Sequence, residues 1–130
     1  MDRILGVLSG ILGFLGVALG AFGAHGLRAF LASQADGEQR RAWWETAAHY
    51  HLIHALAIGV TALLVARASG SAGTVAGFCF AGGIALFSGS LYVMTLTGQR
   101  WLGAITPLGG LLFLVGWAAL AVAAFRELGH

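Results

Sequence analysis

The side chains best suited to chemistry in this chain are few, and they fall in four short stretches. His51 and His54 stand three residues apart with Tyr50 beside them. His25 closes a glycine-rich run, and Ser88, Ser90, Tyr92 and Thr95 share a third stretch. Thr106 precedes Pro107, the only proline. Two histidines at i, i+3 can ligate one metal ion, since imidazole suits zinc, copper, nickel and iron. His25 would supply a third ligand. No carboxylate or thiolate lies on the same helix face to complete such a site, so interhelical hydrogen bonding by structural histidines competes with it at least equally. Metal is left open, with His25, His51 and His54 as candidate ligands, and no cofactor is expected. A serine hydrolase needs an acid to orient its base. Ser88 and His54 could meet, but Glu45 falls on the wrong face of its helix, so the chain is expected to be non-enzymatic.

The elements that must position these residues follow from composition. Of 130 residues, 58% are hydrophobic and 9% charged, whereas soluble domains carry roughly 25% charged residues. A chain so poor in charge cannot coat a water-facing surface. There is no lysine, and the formal net charge of +2 comes from dispersed arginines, which excludes a nucleic-acid footprint. Cys79 is the only cysteine, so no intrachain disulfide can form. The 21 glycines lie mostly inside apolar runs, as expected for membrane helices that approach closely through small residues.

A helix crossing the hydrocarbon core needs about 20 apolar residues. Four segments qualify: 4–24, 43–66, 74–97 and 107–125. The expected fold is all-α, one membrane domain over 1–130. It is an integral membrane four-helix bundle with both termini on the same side. The first segment outruns the 7–15 apolar residues usual in a cleaved signal, and Gly6, Gly10 and Gly13 share one face, so it reads as a retained, packed helix. The loop 25–41 is long enough for a short interfacial helix at 27–31. Asp36-Gly37 reads as a turn or cap, with the next helix starting near Glu38. Trp43 and Trp44 belong at headgroup level. Ser69 to Gly73 reads as a short turn, and Thr106-Pro107 as a helix start. Arg28, Arg40, Arg41 and Arg100 fall on the side of the long loop, against Arg3, Arg67 and Arg126 on the other, too even a balance to orient the chain.

In this topology nearly every polar residue within the membrane lies in the half facing the 25–41 loop. Polar groups in lipid usually face a protein interior or a water-filled cavity, so the expectation is one polar pocket in that half. At 100° per residue, Tyr50 and His51 lie within about 60° of His54, and His49 about 140° away. Ser88, Tyr92 and Thr95 share a face with Ala81 and Ala85. Ser90 points nearly opposite and is expected to bond back to its own helix. Arg28 and Arg100 could hold a lipid phosphate, or could be solvated loop charges. The candidate ligand-binding set is therefore His25, Arg28, Tyr50, His51, His54, Ser88, Tyr92, Arg100 and Thr106.

The string Gly20-Ala21-Phe22-Gly23-Ala24-His25-Gly26 carries a wider likeness. So do Trp43, Thr46, Tyr50, His54-Ala55-Leu56-Ala57, Phe87-Ser88-Gly89-Ser90-Leu91-Tyr92, Thr106-Pro107-Leu108-Gly109-Gly110 and Gly116-Trp117. In these, and over nearly its whole length, the chain resembles the domain-of-unknown-function 423 family, which includes the small transmembrane protein 256 of animals. The resemblance implies a small multi-pass protein of the cell inner membrane and supplies no reaction. Binding of a lipid or small hydrophobic ligand in the polar half is the leading expectation, with membrane lipids as partners. The alternative is an accessory or scaffold subunit packing against a partner membrane protein or forming a homo-oligomer. Transport, metal or haem binding, and enzymatic chemistry rank below these.

Overall fold

Backbone in hydrocarbon has to satisfy its own N–H and C=O groups, and the described residues do so with helices and no strand. The computed structural model describes residues 1–67 and 70–129. Eight elements follow one another: α1 (Asp2–Ala24), α2 (Leu27–Ala32), α3 (Gly37–Val65), α4 (Ala72–Gly83), a π-helical turn (Ile84–Ser88), α5 (Gly89–Thr97), a 3-10 turn (Arg100–Ala104) and α6 (Thr106–Leu128). Among the described residues four continuous stretches are long and apolar enough to cross a membrane: Asp2–Ala24, Gly37–Val65, Ala72–Thr97 and Arg100–Leu128. The molecule is an all-α membrane four-helix bundle. Ser69, the expected start of the second connection, lies outside the described residues.

The helices overrun their apolar windows, most clearly α3. Its 29 residues rise about 44 Å, against a hydrocarbon core of about 30 Å. The first turns of α3, which carry its charges, therefore stand clear of the apolar layer. The start of α3 depends on glycine at 37, because a Cβ there would collide with the backbone carbonyl of Leu31 at the end of α2. α5 stops at Gly98, whose φ of 73° is left-handed and favours glycine.

α3 and the third span form the centre, with α1 laid on α3 and α6 laid on α4. Close approach comes from glycine notches that receive large side chains. Leu5 fills the notch at Gly77, Phe80 that at Gly116, and Phe113 that at Gly83. The backbone of Phe87 lies directly against Gly109. The apolar core around Ile58, Ala76, Phe80, Ile84 and Phe113 is the result. The Gly6-Gly10-Gly13 stripe, expected to pack, does not do so within the chain: a Cβ at any of the three would meet nothing within 4 Å.

Candidate functional site

His54 is held from two sides. Its Nδ1 lies 2.7 Å from the carbonyl of Tyr50, one turn earlier on α3. A carbonyl only accepts, so Nδ1 carries the hydrogen. Its Nε2 then offers a lone pair, which the indole N–H of Trp117 on α6 meets at 3.1 Å. The ring is thereby fixed as one neutral tautomer. It also stacks on Phe113, with centroids 3.6 Å apart and planes 8° from parallel.

His51 belongs to another seam. Its Nδ1 is 2.9 Å from the hydroxyl of Tyr92 on α5, while its Nε2 is buried without a hydrogen-bond partner among the described residues. The Tyr92 ring packs on Trp44 at 4.6 Å, and the Trp44 indole donates to the carbonyl of Leu19 on α1 at 2.7 Å. Nearby, Ser88 donates to the carbonyl of Ala47 at 2.8 Å. The Thr95 hydroxyl reaches both Leu91 (2.9 Å) and Arg40 (3.1 Å) carbonyls. α3 is thus stitched to the third span by groups that lipid cannot satisfy.

The structure does not gather these residues around one polar pocket. His51, Ser88, Tyr92 and Thr95 make the α3–α5 seam, while His54 and Tyr50 face α6. Ser90 is buried too, and it bonds back to the Phe87 carbonyl at 2.9 Å as expected. It also pairs with the Thr106 hydroxyl at 2.6 Å. Serines on opposite faces of the third span, Ser88 at the end of the π-helical turn and Ser90 in α5, both find partners, because this part of the span lies between α3 on one side and the 3-10 turn leading into α6 on the other. His25 is exposed where α1 ends, whereas His51 and His54 lie deep in α3. The three-histidine set does not form, and the described residues contain no group of three His, Cys, Asp or Glu placed to share a metal ion.

The two candidate phosphate ligands also part. Arg100 reaches across to the start of α3, with its Nη2 3.1 Å from Gln39 Oε1 and 3.4 Å from Asp36 Oδ2. Its guanidinium lies 5.4 Å above the Trp43 ring centroid. Arg40 pairs with the same Asp36 at 2.9 Å. Partial desolvation pushes the Asp36 carboxyl upward, but the contact with Arg40 and the charges of Arg40 and Arg100 outweigh it and hold the pKa below the ordinary value. Arg28 lies elsewhere, exposed on α2, and its neighbour across a cleft is Arg41.

Two residues central to the site went unassigned in the sequence, Trp117 and Phe113. The signal was present for the first: an indole N–H in mid-span needs an acceptor, and a histidine is one of few available. Around them lies an open groove of about 620 Å³ between α3 and α6. Tyr50, Ile53, His54, Phe87, Phe113 and Trp117 line it, with His49 also on its wall. Tyr50 is 40% exposed, and its hydroxyl has no hydrogen-bond partner among the described residues. Two smaller clefts, about 230 Å³ each, lie between α3 and the α1–α2 corner, and Arg28 and Arg41 line both.

Known proteins are similar to this chain over most of its length. The chain is 42% identical to the UPF0382 membrane protein YwdK of Bacillus subtilis over 97% of its own length and 99% of that protein's. It is 39% identical to the UPF0382 inner membrane protein YgdD of Escherichia coli, over 96% of this chain and 92% of that one. No solved structure matches it. The family described as "Protein of unknown function (DUF423)" matches residues 19–110, a stretch that holds His51, His54, Ser88, Tyr92 and Thr106, whereas Phe113 and Trp117 lie beyond it. With four membrane-spanning helices and relatives matched nearly end to end, this chain belongs to that family of membrane proteins.

Proposed function

We propose that the chain is a non-enzymatic protein of the cell inner membrane that holds a hydrophobic small molecule or lipid chain in the α3–α6 groove. The groove carries the proposal: about 620 Å³ falls within the range of ligand sites, roughly 300–1,000 Å³. Its walls are aromatic and aliphatic, and the Tyr50 hydroxyl is the free polar group that would orient an occupant. His54 contributes a flat ring whose nitrogens are already engaged, and no nucleophile or acid stands beside it to support a reaction. Native mass spectrometry of protein released from nanodiscs tests the proposal. One bound species is expected in the wild type that weakens in Tyr50→Phe and is lost in Gly110→Leu, where a side chain would fill the groove, and that persists in Arg28→Gln/Arg41→Gln. A bare wild-type mass would sink it.

A second reading, a subunit that packs on a partner helix, is favoured by the open Gly6-Gly10-Gly13 stripe on α1. A stoichiometric partner or second copy that dissociates in Gly10→Leu would favour it over ligand binding.

A further inference from the structure

The two clefts between α3 and the α1–α2 corner share Gly23, Arg28 and Arg41 and are taken together as one, with an outer and an inner half. This cleft is built differently from the groove, and its charges have an order along α3. Arg28 from α2 and Arg41 from α3 line both of its halves. Glu38 lines only the outer half, beside α2 and the loop. The inner half runs down past Gly20, Ala24, Trp44 and Ala48, with Glu45 at its side. Gly23 floors both halves, where Trp44 leaves no room for a Cβ. Trp44 cannot swing away, since its indole is tied to Leu19.

The existing ion pairs do not close this cleft. Arg41 touches Glu38 and Glu45 at 3.6 Å each, all three well exposed, and such pairs are worth little. Arg28 has no ion pair among the described residues. The lining carries two guanidinium groups and two carboxylates, so it does not select for a bare anion. It does suit a group bearing both charges, anion in the middle and cation towards the outer end.

From this order of charges we infer that the cleft binds a phospholipid with a primary-ammonium headgroup. Its phosphate sits between Arg28 and Arg41, where guanidinium forks suit phosphate oxygens. Its ammonium donates to the Glu38 carboxylate, and an acyl chain descends over Gly20, Gly23 and Ala48. A quaternary choline has no N–H to give Glu38. A glycerol headgroup brings no positive charge at all. Phosphatidylethanolamine is therefore retained over both.

Native mass spectrometry of the full chain from nanodiscs holding phosphatidylethanolamine, phosphatidylcholine and phosphatidylglycerol in equal amounts reads this directly. The wild type is expected to keep phosphatidylethanolamine about tenfold over the others, the scale of one charge-assisted contact. Arg28→Gln with Arg41→Gln is expected to lose the lipid held in this cleft, whichever of the three it is, while any occupant of the α3–α6 groove stays. Glu38→Gln is expected to erase only the preference for phosphatidylethanolamine over phosphatidylcholine. Gly110→Leu, in the opposite groove, is expected to change nothing here, which keeps the two sites separable. Equal retention of the three lipids, or retention indifferent to the arginines, would mean annular lipid only and overturn the assignment. Strongest retention of phosphatidylglycerol would overturn it too, by making the cleft a plain anion site.

Discussion

The indole N–H of Trp117 donates to Nε2 of His54 across 3.1 Å, joining α6 to α3 in the middle of the span. Because the Tyr50 carbonyl already takes the Nδ1 hydrogen at 2.7 Å, the histidine is the acceptor in that bond. Trp117→Phe keeps an aromatic ring while removing the donor and some ring volume, and is expected to cost at least about 1 kcal/mol, the scale of hydrogen bonds between membrane helices. His54→Ala also vacates the stack on Phe113 and is expected to cost about 3 kcal/mol. Unfolding titrations in mixed micelles would rank them. Equal losses would mean the hydrogen bond, rather than the stacked ring, carries the site.

Glycine notches give a sharper contrast. A Cβ at Gly109 would run into the Phe87 backbone, which has no rotamer to yield, so Gly109→Ala is expected to destabilise by about 1–3 kcal/mol. Gly6→Ala and Gly10→Ala meet open space and should leave monomer stability unchanged or slightly raised. The same unfolding titration separates them. A large loss at Gly10 would instead reveal that α1 is covered by another chain.

Ser88→Ala and Tyr92→Phe probe the α3–α5 seam. Each removes one tie, to the Ala47 carbonyl or to His51, and each is expected to cost about 1 kcal/mol. Tyr92→Phe has the added consequence that Nδ1 of His51 loses its partner and joins Nε2 in having none among the described residues, so His51→Phe in that background is expected to recover stability. A double-mutant cycle on thermal midpoints measures the recovery.

Asp36 ties the start of α3 to Arg100. Its carboxyl is held below its ordinary pKa of 3.8, so the folded state prefers the ionised form. The stabilisation is therefore complete above the unfolded pKa and fades as pH falls through the lower, folded one. Hydrogen exchange in 100–104 is expected to stay constant from neutral pH down to about pH 4 and to quicken below it once corrected for intrinsic rates. Asp36→Asn should show the quickened exchange at every pH.

Much of the architecture was legible in the residues. Uninterrupted apolar length marked all four spans, since the bilayer allows few alternatives. Thr106-Pro107 marked the region where α6 begins, but the helix opens one residue earlier, at Thr106, with no side-chain cap. The face of α3 bearing His51 and His54 was also readable, because helical phase alone sets it. What escaped was which neighbour each face meets. Ser88 and Ser90 look like an inside and an outside residue until α5 is seen to have helices on both sides. His25 and Arg100 look like rim residues of a common pocket until Arg100 is seen tied to Asp36 and Gln39 at the start of α3, with His25 exposed at the end of α1. A polar side chain in lipid requires a partner, and nothing in its own sequence says whether that partner is a ligand, another side chain or a carbonyl.

The tightest packing, α1 on α3 and α4 on α6, is local in the chain. The ties of His51 to Tyr92, Ser88 to Ala47, His54 to Trp117 and Arg100 to Asp36 all run between the first half and the second. During synthesis the first half can therefore settle its apolar contacts as soon as α3 has entered the bilayer. His51 and His54 then wait, without their α5 and α6 partners, for helices not yet made. An unfinished or truncated chain carries these unmet polar groups in lipid, where they are costly. The seam thus makes completion of the protein a condition of its stability.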